Sequence, residues 1–155
     1  MTNADSSPAK TIIPIGWEAI HHDLRALATR LHPMAPWQGI VAVTRGGLVP
    51  AAILARELDI RLIDTVCAAS YDGHDNGPVD ILKTPDLAIK NKGNGWLLID
   101  DIVDTGATVQ AIRLYLPGAF FAALYAKPAV KHKIDLFLHE AAPDLWIEFP
   151  WERGA

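Results

Sequence analysis

Three carboxylates at the end of an apolar segment are the strongest chemical signal in the sequence. Asp100 and Asp101 follow the apolar residues 96–99, and Asp104 comes three positions later. Negative charges this close together at a strand end repel each other unless a ligand or a metal ion offsets them. Each aspartate alone also fits a solvated acidic turn in which Asp104 or Thr105 caps the next helix. Their combination favours a binding site.

The residues that follow the acids are suited to holding a phosphate group. Residues 105–108 are small, two of them carry hydroxyls, and they open a predicted helix whose first backbone N–H groups are free to bind an anion. Gly106 lets the backbone approach a ligand closely. Because carboxylates would repel a phosphate, Asp100 and Asp101 fit better opposite ribose hydroxyls and a divalent cation. The stretch predicts a site for a sugar phosphate.

Apolar runs and helical periodicity alternate along the chain in the way typical of an α/β fold. Helices are predicted at 16–31, 50–58 and 108–116, and strands at 39–44, 62–68, 96–99 and 120–125. This order favours a single α/β domain with a parallel sheet between helices. Ligands of such sheets bind at the carboxyl ends of the strands, where the acids lie.

One segment departs from this alternation. Residues 71–92 are crowded with Gly, Pro, Asp and Asn, and a polar connection of this length in a small domain is usually functional or mobile. We interpret it as a candidate lid. Residues 1–10 are polar and are interpreted as a flexible tail, which leaves 11–155 as the domain.

Composition excludes several classes of function. The net charge of -4 provides no excess of Lys and Arg to neutralise a nucleic-acid backbone, so no nucleic-acid partner is expected. The single cysteine, Cys67, excludes an internal disulfide and a Cys-rich metal site, and it fits an apolar strand position in a reducing compartment. No apolar stretch is long enough to span a membrane. Half of the residues are hydrophobic, which suggests that partner subunits cover some surface.

Residues 97–108 resemble the signature of the type I phosphoribosyltransferases. A closer resemblance, to the bacterial xanthine-guanine branch of that family, comes from 41–50, 99–108, 126–129 and 146–151. The resemblance covers nearly all of 17–152, in order and at similar spacing. It implies the type I phosphoribosyltransferase fold, a central mainly parallel sheet flanked by helices with a small C-terminal hood. It also implies purine salvage, in which phosphoribosyl pyrophosphate and xanthine, guanine or hypoxanthine give a nucleoside monophosphate and pyrophosphate.

The resemblance assigns the residues around the sugar phosphate. Arg45 and Gly46 are implied to form the loop that holds the pyrophosphate, which in this family often contains a cis peptide. Asp100 and Asp101 are implied to bind the ribose hydroxyls, with Asp101 also associated, directly or through water, with Mg2+, the expected cofactor. The implied phosphate cradle comprises Thr105, Gly106, Ala107 and Thr108. Family members commonly have a second glycine where Ala107 stands.

The resemblance also assigns the purine pocket. Asp104 corresponds to a candidate general base beside the imidazole nitrogen of the purine. Lys127 corresponds to a donor to the exocyclic oxygen, which would favour oxopurines over adenine because an ammonium cannot accept from an amino group. Trp146 would stack on the base, and the backbone of Ile147 would meet its far edge. From the residues alone, Lys127 also fits a solvated strand end, and Trp146 and Ile147 also fit the core of a late strand.

The candidate lid departs from the family pattern. The resembled enzymes carry an arginine there that reaches the pyrophosphate, whereas Gly77 and Pro78 occupy that region here and Lys83 is the nearest cation. The sequence leaves the contribution of the lid to substrate binding open.

Two other functions compete with the enzyme interpretation. A regulatory protein that senses phosphoribosyl pyrophosphate would keep the sugar-phosphate site, but it would not need the purine set Asp104, Lys127 and Trp146. A phosphatase-like hydrolase would use an alternating Asp-x-Asp nucleophile loop, which residues 100–102 do not provide. We therefore expect a cytoplasmic enzyme. The resemblance further implies a homotetramer or a dimer and, in some members, peripheral association with the inner membrane.

Overall fold

A six-stranded sheet and a two-stranded sheet organise the described residues, 10–70 and 78–153, of the computed structural model. The strands are β1 (Thr11–Pro14), β2 (Gly39–Thr44), β3 (Ile63–Ser70), β4 (Val79–Lys83), β5 (Trp96–Val103), β6 (Phe120–Ala126), β7 (Leu136–Glu140) and β8 (Leu145–Glu148). The helices are α1 (Trp17–Leu31), α2 (Leu48–Glu57), α3 (Asp86–Ile89) and α4 (Ala107–Tyr115), with short 3-10 turns at His32–Met34, Lys131–Lys133 and Pro150–Glu152.

The larger sheet has the order β4-β3-β2-β5-β6-β7 and is parallel except for β4, which runs antiparallel to β3. The predicted single α/β domain with a mainly parallel sheet is confirmed. The chain leaves β2 toward β3 on one side, whereas β5 lies on the other side of β2. The crevice between the carboxyl ends of β2 and β5 is therefore the point where the strand order reverses, which is where such sheets bind ligands.

The side chains of β5 alternate between two cores, one on each face of the sheet. Leu97 and Ile99 belong to the cluster that includes the buried residues of α1 and α2. Trp96 and Leu98 belong to the cluster on the opposite face, which includes α4. Because both faces are covered, the strand is a continuous apolar run up to the first aspartate. The same alternation decides where the acids after it point.

The small sheet joins the two ends of the chain. β1 and β8 pair in parallel, with Ile12 opposite Trp146 and Ile13 opposite Ile147. Together they form the hood beside the carboxyl edge of the larger sheet. The sequence pattern did not predict β1, because a four-residue strand that is exposed along its length carries no apolar alternation.

The structure corrects two sequence predictions. The strand predicted at 96–99 continues to Val103, so Asp100 and Asp101 lie within β5 and not after it. The polar connection predicted at 71–92 contains β4 and α3, because Val79–Lys83 adds to the edge of the sheet through β3. Residues 71–77 of the candidate lid and residues 1–9 of the predicted tail lie outside the described residues. Across the described ranges, no helix combines the length and apolarity needed to cross a bilayer.

Because β5 is central in the sheet, loss of a buried side chain from it should lower the free energy of unfolding. Leu97 is fully buried, and we expect Leu97→Ala to lower the free energy of unfolding by about 3 kcal/mol through lost burial and a residual cavity. Leu114 on α4 is 83% exposed, so Leu114→Ala should change it by less than about 0.5 kcal/mol. Urea unfolding of both variants checks this. Equal effects would contradict the assignment of the core.

Candidate active site at the carboxyl ends of β2 and β5

The turn after β2 packs directly against an acid of β5. A β-carbon built on Gly46 would overlap the Asp101 carboxylate, so only glycine fits at this position without displacing that acid. The peptide between Thr44 and Arg45 is cis, as the resemblance implied. The Arg45 side chain is exposed and lines a cavity together with Asp101.

The two adjacent acids of β5 serve different cavities. Asp100 lines a cavity of about 230 Å³ on the α4 side, together with Asp104 and the start of α4. Asp101 lines a cavity of about 690 Å³ on the α2 side, together with Arg45 and Gly46. Trp146 from the hood lines both. The strand therefore divides one continuous crevice and presents a carboxylate to each part.

Local hydrogen bonds fix both carboxylates. Asp100 Oδ1 accepts from the backbone N–H of Asp101 at 2.9 Å, and Asp101 Oδ1 accepts from Ile102 N–H at 2.7 Å. Asp101 Oδ2 also accepts from Trp151 Nε1 at 3.3 Å, and its side chain is only 6% exposed. Both acids are thus oriented before any ligand binds.

Burial of the two acids is electrostatically unfavourable when both are ionised. Desolvation, together with repulsion from Asp101, raises the pKa of Asp100 well above its ordinary value. Desolvation also raises the pKa of Asp101, although the N–H of Ile102 and the indole of Trp151 favour its charged form. A cation at this position would offset the repulsion.

The carboxylates here fit a magnesium ion that would take only some of its ligands from the protein. Within 10–70 and 78–153, no group of three or more His, Cys, Asp or Glu side chains could enclose a metal ion. Mg2+ commonly binds through one or two carboxylates and takes its other oxygens from substrate phosphates and water. Two oriented carboxylates at an open crevice match that pattern.

The start of α4 lines the smaller cavity. Gly106 adopts a left-handed conformation, with φ 77°, and this conformation turns the chain from β5 into the helix. The Thr105 hydroxyl accepts from Ala107 N–H at 3.3 Å. Thr108 also lines the cavity, so backbone N–H groups and hydroxyls of this turn border the same space.

The hood supplies an aromatic face, and Lys127 supplies an ammonium anchored against it. Trp146 is 44% exposed and lines both cavities, and Lys10 Nζ lies 5.0 Å from its ring centroid. Lys127, after β6, is 7% exposed and donates from Nζ to Ala142 O at 2.7 Å and to Leu145 O at 2.5 Å. An ammonium has three N–H donors, so one is left for another acceptor.

The backbone of Ile147 faces away from β1. In a parallel pair, alternate residues direct their N–H and C=O groups at the neighbouring strand. Ile15 N–H donates to Glu148 O at 2.9 Å, so the even-numbered residues of β8 face β1. Ile147 therefore presents its N–H and C=O on the opposite edge, on which Leu145 O meets Lys127. Among the described residues, β8 pairs with β1 alone, which leaves that edge open.

The structure brings together predicted site residues from three of the four segments that the sequence singled out. All of the predicted site residues except Lys127 and Ile147 line one of the two cavities. Lys83, the cation nearest the candidate lid in sequence, instead pairs with Asp64 at 2.5 Å and donates to Thr65 O at 2.8 Å. Its ammonium is bound to residues of β3, and Lys83 does not line either cavity.

Several lining residues carried no individual signal in the sequence. Ser70 and Val79 border the smaller cavity, and the larger cavity adds Leu48, Val49, Glu148, Trp151 and Glu152. Trp151 belongs to the segment 146–151 that carries the family resemblance, but its contact with Asp101 joins two residues 50 positions apart in the chain. Only the folded chain reveals it.

Comparison with known proteins agrees with this geometry. A model of the phosphoribosyl transferase domain matches residues 16–151. The chain is 49% identical over 140 residues to a xanthine-guanine phosphoribosyltransferase of Chromohalobacter salexigens, covering 90% of this chain and 83% of the relative. It is 50% identical over 148 residues to that of Desulfotalea psychrophila, covering 95% and 90%. The solved xanthine-guanine-hypoxanthine phosphoribosyltransferase of Helicobacter pylori superposes with a TM-score of 0.76 at 28% identity, covering 92% of this chain and 94% of the other.

The raised pKa of Asp100 predicts that the free energy of unfolding depends on pH through this residue. An aspartate whose pKa is higher in the folded chain than in the unfolded one destabilises the fold increasingly as the pH rises between the two values. Asp100→Asn removes the charge and keeps an acceptor for Asp101 N–H. We expect it to raise the free energy of unfolding at pH 8 by about 1 kcal/mol, and the gain should shrink toward pH 4.

Urea unfolding with a chelator present at both pH values measures this gain. Asp80→Asn, at an exposed position of β4, is the matched control and should give no comparable gain. A less stable Asp100→Asn variant at pH 8 would contradict the electrostatic account of the pair.

Proposed function

Because the chain belongs to the phosphoribosyltransferase family, we propose that it transfers the phosphoribosyl group of phosphoribosyl pyrophosphate to an oxopurine. The names of the relatives point to xanthine and guanine, and that of the Helicobacter pylori enzyme adds hypoxanthine. The products are the nucleoside monophosphate and pyrophosphate. The chain is thus a purine salvage enzyme.

One observation carries this proposal: β5 places one carboxylate in each of two adjoining cavities. The smaller cavity ends at the hydroxyls and N–H groups of the α4 turn, and the larger ends at Arg45 and Gly46. A ribose with a phosphate at one end and a pyrophosphate at the other matches this arrangement. Its hydroxyls would meet Asp100 and Asp101 between the two anion sites.

Binding of the leaving group rests on the β2 turn and on the acids. The Arg45 guanidinium and the backbone of Gly46 border the larger cavity and would donate to the pyrophosphate. Asp101, with substrate and water oxygens, would hold Mg2+, which when bound supplies positive charge to the departing pyrophosphate. Asp100 and Asp101 would also lie near the ribose ring as it becomes positive while its bond to the pyrophosphate breaks.

Asp104 is positioned to take the proton that the purine loses. It is exposed and lines the smaller cavity with Trp146, on whose ring the base would stack. The imidazole nitrogen that attacks the anomeric carbon uses its free lone pair, so the ring becomes positive and its other imidazole nitrogen has a proton to release. A carboxylate within hydrogen-bond reach can accept it.

Selection of oxopurines rests on Lys127 and on the hood. The remaining N–H of Lys127 would donate to an exocyclic oxygen, whereas the amino group of adenine offers no acceptor to it. The open backbone edge of Ile147 supplies one donor and one acceptor for the far side of the base. These groups also favour an enzyme over a protein that only senses phosphoribosyl pyrophosphate, which would have no use for a purine pocket.

Exposed apolar side chains support the proposed assembly. Leu62, Ile63 and Leu82 are exposed apolar side chains at the β3–β4 end of the sheet. A second copy would cover them, and the proposed enzyme is a dimer or a homotetramer. Its thiol Cys67 is free, which suits the reducing cytoplasm.

A panel of bases tests the reaction. Incubation with phosphoribosyl pyrophosphate and Mg2+ should give nucleotide from xanthine, guanine or hypoxanthine, and adenine should react at least about a hundredfold more slowly. Product is scored by chromatography. If no oxopurine reacts while phosphoribosyl pyrophosphate still binds, the sensor function replaces this one.

Asp104→Asn tests the assigned base. We expect kcat to fall by about 100-fold or more, because general-base catalysis contributes about 10²–10⁴, while the Kd of phosphoribosyl pyrophosphate stays within about twofold. Steady-state kinetics and calorimetry give the two values, with Asp80→Asn as the control. Unchanged turnover would remove Asp104 from the mechanism.

A further inference from the structure

The lysine at the end of the 3-10 turn Lys131–Lys133 lies against the phosphate-binding turn. A β-carbon built on Gly106 would stand 2.7 Å from Lys133 Cδ and 3.2 Å from its Nζ. Val130, at the start of the same turn, is the next neighbour at 3.4 Å. The lysine stem therefore occupies the space that a side chain at Gly106 would take, and its ammonium rests beside the backbone that opens α4.

The turn that carries this lysine is anchored, while the ammonium itself is not. The N–H of Lys133 donates to Val130 O at 2.9 Å, and its carbonyl accepts from Arg113 Nη2 at 3.5 Å. The Arg113 guanidinium in turn pairs with Asp135 at 2.7 Å. Among the described residues, Lys133 Nζ has no hydrogen-bond or ion-pair partner.

The cavity beside this ammonium lacks positive charge. Its lining includes Asp100 and Asp104 but no Lys, Arg or His among the described residues. A sugar phosphate bound there would carry two negative charges next to those acids, with only hydroxyls and N–H groups to offset them. Val109 lines both this cavity and the outer surface that carries Lys133, so the two sites adjoin.

We propose that Lys133 is a further substrate-binding residue, whose ammonium offsets the charge of the 5′-phosphate held by residues 105–108. The inference rests on the proposed function only in taking this turn as the sugar-phosphate site. A lysine has four flexible methylenes and no other partner here, so its tip can move from the Gly106 backbone to the bound phosphate. The larger cavity, which would take the pyrophosphate, does not include it.

Comparing the binding of two ligands distinguishes a specific contact between Lys133 and the 5′-phosphate from a general loss of positive charge. Isothermal calorimetry with ribose 5-phosphate and, separately, with pyrophosphate and Mg2+ is carried out on the full chain. We expect Lys133→Met to weaken ribose 5-phosphate binding by about tenfold and to leave pyrophosphate binding within about twofold. Lys133→Arg, which keeps the charge, should bind ribose 5-phosphate nearly as the unaltered chain does.

Lys131→Met is the matched control, because it removes a lysine of the same turn that is paired with Glu140 at 2.7 Å. It should leave both affinities unchanged, and thermal melts of all variants check that the fold is retained. Unchanged ribose 5-phosphate binding in Lys133→Met, an equal loss for both ligands, or no ribose 5-phosphate binding by the unaltered chain would each overturn the proposal. Failure of the base panel would instead refute the transferase reaction, since ribose 5-phosphate binding does not depend on it.

Discussion

The burial of two adjacent carboxylates, Asp100 and Asp101, within one strand is the main constraint on the surrounding structure. Their charges are desolvated and repel each other, so the folded chain holds them at an energetic cost that a bound cation and sugar hydroxyls would reduce. The surroundings keep them in place all the same. Gly46 packs against Asp101 without a side chain, and the indole of Trp151 donates to it. Stability is thus lowered locally at the proposed ligand-binding site.

Because neighbouring side chains of a strand point to opposite faces of the sheet, the two aspartates lie on two sides of β5. Side chains alternate across a sheet, so neighbouring aspartates on β5 face the α4 side and the α2 side. Each side then meets the start of a helix or a turn that can bind an anion, because the strand order reverses between β2 and β5. One carboxylate per face suits a substrate that extends across the strand, with phosphate groups at both ends and ribose hydroxyls in the middle.

The hood ties the base-binding groups to the same edge. Lys127 leaves β6 and reaches across to two carbonyls near β8, which fixes its ammonium beside the open edge of Ile147. β1 holds β8 from the other side, so the start of the chain supports the part that would read the purine. The turn that follows Lys127 also carries Lys133 to Gly106, and this places the proposed base and phosphate contacts on one continuous segment.

Much of the fold and of the candidate site could be predicted from the sequence, because those features are local. The apolar runs of β2, β5 and β6, the aspartates at 100, 101 and 104, and the small residues 105–108 are each visible within about ten positions. The order of helices and strands also predicts which strand ends meet. β1, β4 and β7 were missed because each is an edge strand of only four or five residues, too short to show a clear periodicity.

Tertiary structure alone decided the contacts between distant segments. The indole of Trp151 on Asp101, the carbonyls around Lys127 and the approach of Lys133 to Gly106 each join residues at least 15 positions apart. No local pattern encodes them, since each depends on where packed elements cross. The sequence by itself determined which chemical groups are present and at which strand ends. Packing decided which of them share a cavity, because that depends on the close fit of side chains across the whole domain.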